Sequence, residues 1–350
     1  MASTAASLPH QPGTVTSALP SPYLLFLGDT VEVGYAKTAF GLRDWAPERC
    51  VGEFALPGAM VSTGLPRMSP AEASAAGARA LLIGVATRGG QVPGQWLPVL
   101  IDALRAGLDI VSGMHDRLND IPALASEGDR LGRRLIDVRV PPADIPIATG
   151  RKRSGRRLLT VGTDCALGKK YTALAITREL QARGIDAEFR ATGQTGIMIA
   201  GGGIPIDAVV SDFVAGAAEM LSPDAEPGHL DVIEGQGSLF HPSYAAVTLG
   251  LLHGSQPDLF VVCHDPGRTH VLGLPGFALP SIEGVIAQTV ALGRQVNPAM
   301  RCCGISLNTS ALDESAAAAV IASTSQRLGL PVADPVRGLG MEALLDACVV

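Results

Sequence analysis

The sequence predicts an α/β protein, with an N-terminal Rossmann-like domain followed by a P-loop NTPase-like, three-layer α/β/α domain. Short apolar runs alternate with segments of helical periodicity, a pattern typical of parallel sheets covered by helices. The apolar run 158–161 leads into a glycine-bounded loop with a lysine and then into a helical pattern, which is the layout of a phosphate-binding loop. The 41 glycines and 25 prolines suit the many turns of such a fold.

Residues 1–22 predict a flexible tail. They are rich in Ala, Ser, Thr and Pro and contain no Lys, Arg, Asp or Glu. They lack the basic and continuous apolar segments of a secretory signal, and no run of the chain approaches the roughly 18 apolar residues of a membrane span. We therefore expect a cytoplasmic protein with no membrane partner.

Residues 23–148 predict the Rossmann-like domain. Its predicted elements are strands at 23–27, 80–86 and 109–111 and a helix at 95–106. The loops at 28–29 and 112–115, together with Lys37, are candidates for a cleft that faces the phosphate loop.

A basic linker at 149–157 is predicted to join the two domains, because three prolines precede it and five of the eight residues 150–157 are basic. It is either a solvated connection or an anion-attracting rim beside the phosphate loop. Residues 158–350 then predict the P-loop domain. Its further predicted elements are strands at 231–234, 258–263, 303–307 and 331–332 and helices at 281–293 and 311–328.

Composition excludes some functional classes. Hydrophobic residues make up 47% of the 350 residues, which is enough for a packed core. Charged residues make up 17%, and the net charge of -6 argues against general nucleic-acid binding, which needs a basic surface. The six cysteines form no CxxC pair and lie in or beside apolar runs, as buried free thiols of a reducing compartment do.

The loop after residue 161 is the predicted cofactor site. Inward-pointing backbone N–H groups, a helix N-terminus and a lysine together stabilise a diphosphate. The candidate cofactor-binding residues are Gly162, Thr163, Asp164, Cys165, Gly168, Lys169, Lys170, Tyr171, Thr172 and, at the end of a later strand, Asn308.

Lys170 stands where such loops carry the Ser or Thr that binds Mg²⁺. Two alternatives follow. Thr172 or Asp164 recruits Mg²⁺ in a distorted way, or Lys170 itself neutralises part of the diphosphate charge and no metal is needed. No metal site is firmly predicted.

Polar residues at other strand ends supply candidates for chemistry. Glu234 ends an apolar strand as the acid of a Walker B strand does, although it could instead be a structural partner of a loop lysine. His264 and Arg268 lie in the loop after the strand at 258–263, a position that suits acid–base catalysis or carboxylate recognition. The predicted catalytic residues are Glu234 and His264, and the predicted substrate-binding residues are Arg190, Gln194, Asp207, Gln236, Ser238 and Arg268.

Two resemblances follow from these motifs. GTDCALGK at 162–169 resembles the phosphate loop of dethiobiotin synthetase and its relatives. The longer phrases at 190–219 and 234–258 resemble a bacterial family once catalogued as a domain of unknown function, which includes D-glutamate N-acetyltransferases. The second resemblance covers nearly the whole chain.

The second resemblance implies acetyl transfer from acetyl-CoA to the amino group of D-glutamate. Residues 162–172 would hold the coenzyme A phosphates, and Glu234 or His264 would accept the amine proton. Arg190 and Arg268 would bind the substrate carboxylates. Because no phosphorus–oxygen bond of coenzyme A is broken, a loop that binds it needs positive charge and N–H groups rather than a catalytic Mg²⁺.

Two other functions remain open at this point. An ATP-dependent ligase or kinase acting on a small carboxylate, similar to dethiobiotin synthetase, would release ADP in a Mg²⁺-dependent reaction. A nucleotide sensor would bind without turnover. We expect a homo-oligomer in each case.

Overall fold

The structure is a computed structural model that describes residues 18–349. Most of the predicted tail, residues 1–17, lies outside the described residues. Within its remaining part, Leu19 is buried and donates its backbone N–H to the carbonyl of Gly201 at 2.9 Å. None of the helices in the described part of the chain is long and apolar enough to cross a membrane.

The N-terminal domain is built on a parallel sheet of five strands. Its strands are Tyr23–Phe26 (β1), Cys50–Phe54 (β2), Ala80–Ile83 (β3), Asp109–Ser112 (β4) and Leu135–Asp137 (β5), and its helices are Lys37–Trp45 (α1), Pro70–Ala75 (α2), Leu97–Arg105 (α3) and Pro122–Leu131 (α4). The strand order is β2-β1-β3-β4-β5. The three predicted strands are confirmed as β1, β3 and β4.

Two strands of this sheet escaped prediction. The strand β2 contains Glu53, a charged residue that is fully buried. Its carboxylate accepts hydrogen bonds from the Ser62 hydroxyl and from the backbone and hydroxyl of Thr63 at 2.5–2.6 Å, which offsets the cost of burying a charge. The strand β5 has only three residues, too few to show a period.

The second domain is a six-stranded parallel sheet between two layers of helices. Its strands are Arg156–Gly162 (β6), Ala187–Arg190 (β7), Leu230–Ile233 (β8), Leu259–His264 (β9), His270–Val271 (β10), Leu274–Ala278 (β11), Arg301–Leu307 (β12) and Val332–Ala333 (β13). Its helices are Lys169–Ala182 (α5), Gln194–Ala200 (α6), Val214–Leu221 (α7), Ala245–Ser255 (α8), Ile282–Gly293 (α9), Glu314–Leu328 (α10) and Met341–Val349 (α11). The sheet order is β13-β12-β9-β6-β8-β7, and β10 and β11 form a separate hairpin.

The three layers follow from the alternation of side chains along β6. Leu158 packs in a core with α5 and α11, whereas Leu159 packs in a core with α7, α8 and α9. Successive side chains of a strand point to opposite faces, so a strand buried on both faces reads as a continuous apolar run. The predicted fold class is confirmed.

The basic segment 149–157 lies at the opposite end of β6 from the phosphate loop, because β6 runs from Arg156 to Gly162. Arg153 is buried, and its Nε donates to the carbonyl of Ser222 at 2.7 Å. Arg157 is also buried and donates to the carbonyl of Pro223 at 2.8 Å. These arginines satisfy backbone carbonyls of the domain itself, so the interpretation as an anion-attracting rim is wrong.

The two domains share an apolar core at the helix pair α1 and α6. Ile197, Met198 and Ile199 of α6 are buried in the same cluster as the strands of the N-terminal sheet. The hydroxyls of Thr38 and Thr195 lie 2.8 Å apart across this contact. Since each buried aliphatic side chain contributes about 1.5–3 kcal/mol, the contact holds the N-terminal domain firmly beside the phosphate loop.

Candidate active site

The phosphate loop joins β6 to α5. Gly168, at the N-terminus of α5, has φ +105°, a backbone conformation that favours glycine. Lys169 follows it as the first helical residue, and its Nζ donates to the carbonyl of Asp164 at 2.7 Å. The ammonium therefore points into the loop, and its burial lowers the pKa of Lys169.

Three of the four lysines of the chain line one cavity of about 430 Å³, named here the phosphate cavity. Lys169 and Lys170 come from α5, and Lys37 comes from the start of α1 in the N-terminal domain. Burial lowers the pKa of Lys170 to about 8, with a further contribution from Lys37, while Glu234 opposes this shift. Three ammonium groups face one carboxylate, so the cavity favours a multiply charged anion.

The two residues considered for recruiting Mg²⁺ are bonded within the protein. The buried hydroxyl of Thr172 lies 2.7 Å from the hydroxyl of Ser306. The carboxylate of Asp164 accepts from the backbone of Cys165 and Leu272 at 2.6 and 2.8 Å, and from Arg268 at 2.9 Å. These contacts support the alternative in which Lys170 supplies the charge.

A cluster of potential metal ligands also occurs at the loop. Asp164, Cys165 and His241 offer ligand atoms within 4.8 Å of one another. The guanidinium of Arg268 already holds the Asp164 carboxylate, however, so a cation bound there would meet a positive neighbour. Hydrogen bonds from Leu272, Cys165 and Arg268 outweigh the effect of burial and lower the pKa of Asp164.

Arg268, a predicted substrate-binding residue, braces the phosphate loop. It donates to the Asp164 carboxylate at 2.9 Å and to the carbonyl of Cys165 at 2.8 Å. Arg190, the other predicted carboxylate-binding arginine, is buried at the end of β7. It pairs with Asp231 at 2.6 Å and Glu188 at 2.9 Å. Neither guanidinium lines the phosphate cavity, and both have internal roles that the sequence could not reveal.

Glu234 follows β8 and lines the phosphate cavity. Its Oε2 accepts from the backbone N–H groups of Thr192 and Gly193 at 3.0 and 3.1 Å, just before α6 begins. Burial raises the pKa of Glu234, although Lys170 opposes this shift. A carboxylate of raised pKa is better suited to accept a proton near neutral pH.

Gly196 on α6 makes room for Glu234. A Cβ at Gly196 would lie 2.2 Å from Glu234 Oε2, so Gly196→Ala must displace the carboxylate from its two backbone donors. We expect a loss of about 1–3 kcal/mol in the free energy of unfolding, measured by urea denaturation. Gly228→Ala is the control, because a Cβ there meets no atom within 4 Å. Equal stabilities of the two variants would contradict this packing.

His264, the second predicted catalytic residue, ends β9. Its Nδ1 lies 3.0 Å from the hydroxyl of Thr163, and burial lowers its pKa. It does not line the phosphate cavity. Asn308, which follows β12, does line that cavity, and it also lines an adjoining cavity of about 290 Å³ that includes Val336 and Arg337. We name this smaller, adjoining cavity the side cavity.

A third cavity, of about 590 Å³, is named the acceptor cavity. It shares Cys165, Gln236 and Gly237 with the phosphate cavity, so the two adjoin. Asp207, predicted to bind substrate, lines it. Ser238 is fully buried and accepts from the backbone of Phe240 at 3.4 Å, and it lines neither of these two cavities.

Sequence reasoning missed Arg139 of the acceptor cavity. Its guanidinium donates to Gln194 Oε1 at 3.1 Å and to Asp207 Oδ2 at 2.7 Å, which brings two predicted substrate-binding residues together. It lies two residues after β5, a strand that was not predicted, so no signal marked it. His115 also lines this cavity, within the loop 112–115 that was a candidate for the cleft.

The family models match both domains. A domain of unknown function (DUF1611_N) described as a Rossmann-like domain matches residues 50–141, and one (DUF1611_C) described as a P-loop domain matches residues 146–345. A crystal structure of a DUF1611 family protein from Anabaena variabilis has a TM-score of 0.79 and 35% sequence identity, and covers 93% of this chain and 98% of that chain.

Two curated relatives carry the name D-glutamate N-acetyltransferase. The protein from Tritonibacter scottomollicae is 51% identical over 327 residues, which are 93% of this chain and 98% of the relative. The protein from Pseudoalteromonas sp is 47% identical over 316 residues, which are 90% of this chain and 95% of the relative. With both domains matched and relatives of this similarity, the chain belongs to the DUF1611 family.

Proposed function

We propose that the protein transfers the acetyl group of acetyl-CoA to the amino group of D-glutamate, giving N-acetyl-D-glutamate and CoA. The observation that carries the proposal is the 51% identity, over 93% of the chain, to a relative named D-glutamate N-acetyltransferase. Three adjoining cavities, of about 430, 290 and 590 Å³, are available at the site for the two substrates.

The three adjoining cavities suggest how acetyl-CoA is held. Its phosphates would occupy the phosphate cavity, where three lysines and the N-terminus of α5 provide positive charge. Its adenine would enter the side cavity beside Asn308. Its thioester arm would pass Cys165 and Gln236 into the acceptor cavity, where D-glutamate would bind.

The reaction requires a neutral amine that attacks the thioester carbonyl. A C–N bond forms, the C–S bond breaks, and the CoA thiolate leaves, so that in net terms the proton lost by the amine is gained by the thiolate. In our proposal Glu234 accepts the amine proton. Glu234 and Gln236 lie on the same side of Gly193: a Cβ built on that glycine would be 3.3 Å from Glu234 Oε1 and 2.7 Å from Gln236 Nε2. The carboxylate is therefore close to Gln236, which lines both the phosphate and the acceptor cavity.

The alternative of an ATP-dependent ligase or kinase finds less support. Phosphoryl transfer relies on a metal bound beside the loop. Here Lys170 replaces the usual hydroxyl, and Thr172 and Asp164 are bonded elsewhere. An ammonium can bind a phosphate, and acetyl transfer requires the loop only to bind the phosphates of CoA.

One experiment separates the candidate functions. The protein is incubated with D-glutamate and acetyl-CoA, with and without EDTA, and free thiol is followed. Thiol release that survives chelation supports the transferase. ADP formation from ATP without thiol release would support the ligase, and the absence of both products would leave a sensor. Cytoplasmic location and homo-oligomeric assembly stay predictions.

Lys170 is expected to make CoA binding depend on pH. Its amine loses its proton as the pH rises through about 8 in the free protein, and a bound phosphate raises that pKa again. CoA should therefore bind with proton uptake near pH 8.5 and more weakly as the pH increases. Calorimetry in buffers of different ionisation enthalpy measures the uptake.

Lys170→Arg is the matched control for this prediction, because a guanidinium stays protonated throughout this range. The variant should bind CoA with a smaller proton uptake. Equal proton uptake by the wild type and this variant would contradict the assignment to Lys170.

A further inference from the structure

The acceptor cavity contains a guanidinium from the N-terminal domain. Arg139 is held in place by Gln194 and Asp207, one bond to each. The side chains of Arg139 and Asp207 are 19% and 31% exposed, so the pair forms part of the cavity wall and remains within reach of a ligand.

Arg139 is the one arginine or lysine among the described residues that line this cavity. A dicarboxylate acceptor needs a cationic partner in the cavity, since burying an unpaired carboxylate is costly. Arg190 and Arg268 are engaged with Asp231 and with the phosphate loop, respectively. Arg139 is thus the cation best placed for this role.

The geometry suits exchange of partners. A guanidinium has five N–H donors in a planar fork that matches a carboxylate. The contacts with Gln194 and Asp207 use one N–H on each of the two terminal nitrogens, which leaves donors for a ligand carboxylate. Asp207 keeps the guanidinium paired while the cavity is empty.

We propose that Arg139 binds one carboxylate of the acceptor, and that the N-terminal domain thereby takes part in choosing the substrate. This inference rests on the proposed function. It assigns to the Rossmann-like domain a second contribution to the site, beside the Lys37 ammonium in the phosphate cavity.

The test compares Arg139→Met and Arg139→Lys with the wild type. Rates with D-glutamate and with D-glutamine are followed by thiol release, and CoA binding is measured by calorimetry. Arg139→Met should lower kcat/KM for D-glutamate about 100-fold, mainly through KM, with CoA affinity unchanged. Arg139→Lys keeps the charge but not the fork, so it should lose less.

Arg134→Met is the matched control, because Arg134 lies in the same domain and is also paired with an aspartate, Asp109, at 2.8 Å. It should behave as the wild type. Unchanged CoA binding by Arg139→Met shows that the variant is folded, so its rate reports on the acceptor alone.

The outcomes separate the two claims. A collapse of the preference for D-glutamate over D-glutamine in Arg139→Met supports contact with the side-chain carboxylate, and an equal loss with both acceptors supports contact with the α-carboxylate. A kcat/KM for D-glutamate within threefold of the wild type would overturn the inference. No thiol release by the wild type would instead overturn the proposed function.

Discussion

Replacing Lys169 with methionine is expected to weaken CoA binding about 100-fold, a loss of about 2.7 kcal/mol. The Lys169 ammonium is buried at the start of α5 and, in this structure, donates to a carbonyl of its own loop. A phosphate would replace that carbonyl as its acceptor with a charge-assisted bond, which is stronger than a neutral one. Methionine retains the apolar stem but offers no donor. Calorimetric titration with CoA measures the effect.

Lys152→Met provides the control for this prediction. Lys152 is the one lysine outside the phosphate cavity, is 42% exposed, and pairs with Asp258 at 2.7 Å. Such surface pairs contribute about 0–1 kcal/mol, so this variant should bind CoA as the wild type does. A Lys169→Met protein that binds CoA within threefold of the wild type would show that the phosphates lie elsewhere.

Replacing Glu234 with glutamine is expected to lower kcat at least 100-fold, the usual range for loss of a general base. Glutamine preserves the shape of the side chain and an oxygen for the backbone donors of Thr192 and Gly193. It cannot accept the amine proton. Burial raises the pKa of Glu234 above the usual range of a carboxyl group. The wild-type kcat should therefore fall as the pH is lowered through that raised pKa. The variant should lack that acidic limb.

His264→Ala serves as the comparison, because His264 was the second predicted catalytic residue yet lines neither the phosphate nor the acceptor cavity. We expect its kcat to fall less than threefold. If neither substitution lowers kcat tenfold, both catalytic assignments fail. The remaining candidates for the base would then be side chains of the acceptor cavity such as His115 and Tyr244.

The sequence anticipated those parts of the site that depend on local order. A strand, a glycine-bounded loop and a helix follow one another along the chain, so their geometry is determined within about twenty residues. Glu234 was likewise predicted because ligands bind at the carboxyl edge of a parallel sheet, and Asn308 was predicted from its place at the end of a later strand. Both line the phosphate cavity.

The roles of the arginines could not be predicted from local sequence. Nothing in the sequence distinguishes Arg190, which pairs with Asp231 across 41 positions, from Arg139, which pairs with Asp207 across 68. Whether an arginine braces the fold or faces a cavity depends on partners brought together by the chain's path in space. The role of Arg139 also depends on how the two domains pack, which local patterns do not encode.

The distribution of lysines also affects the chemical durability of the protein. Thioesters acylate neutral amines without catalysis, and under the proposed function the protein meets acetyl-CoA at every turnover. Of the 27 lysine and arginine residues only four are lysines, and arginine stays protonated and inert to such acylation. Three of those four lysines line the phosphate cavity and the fourth, Lys152, pairs with Asp258, so the surface away from that cavity carries one lysine amine that is open to adventitious acetylation.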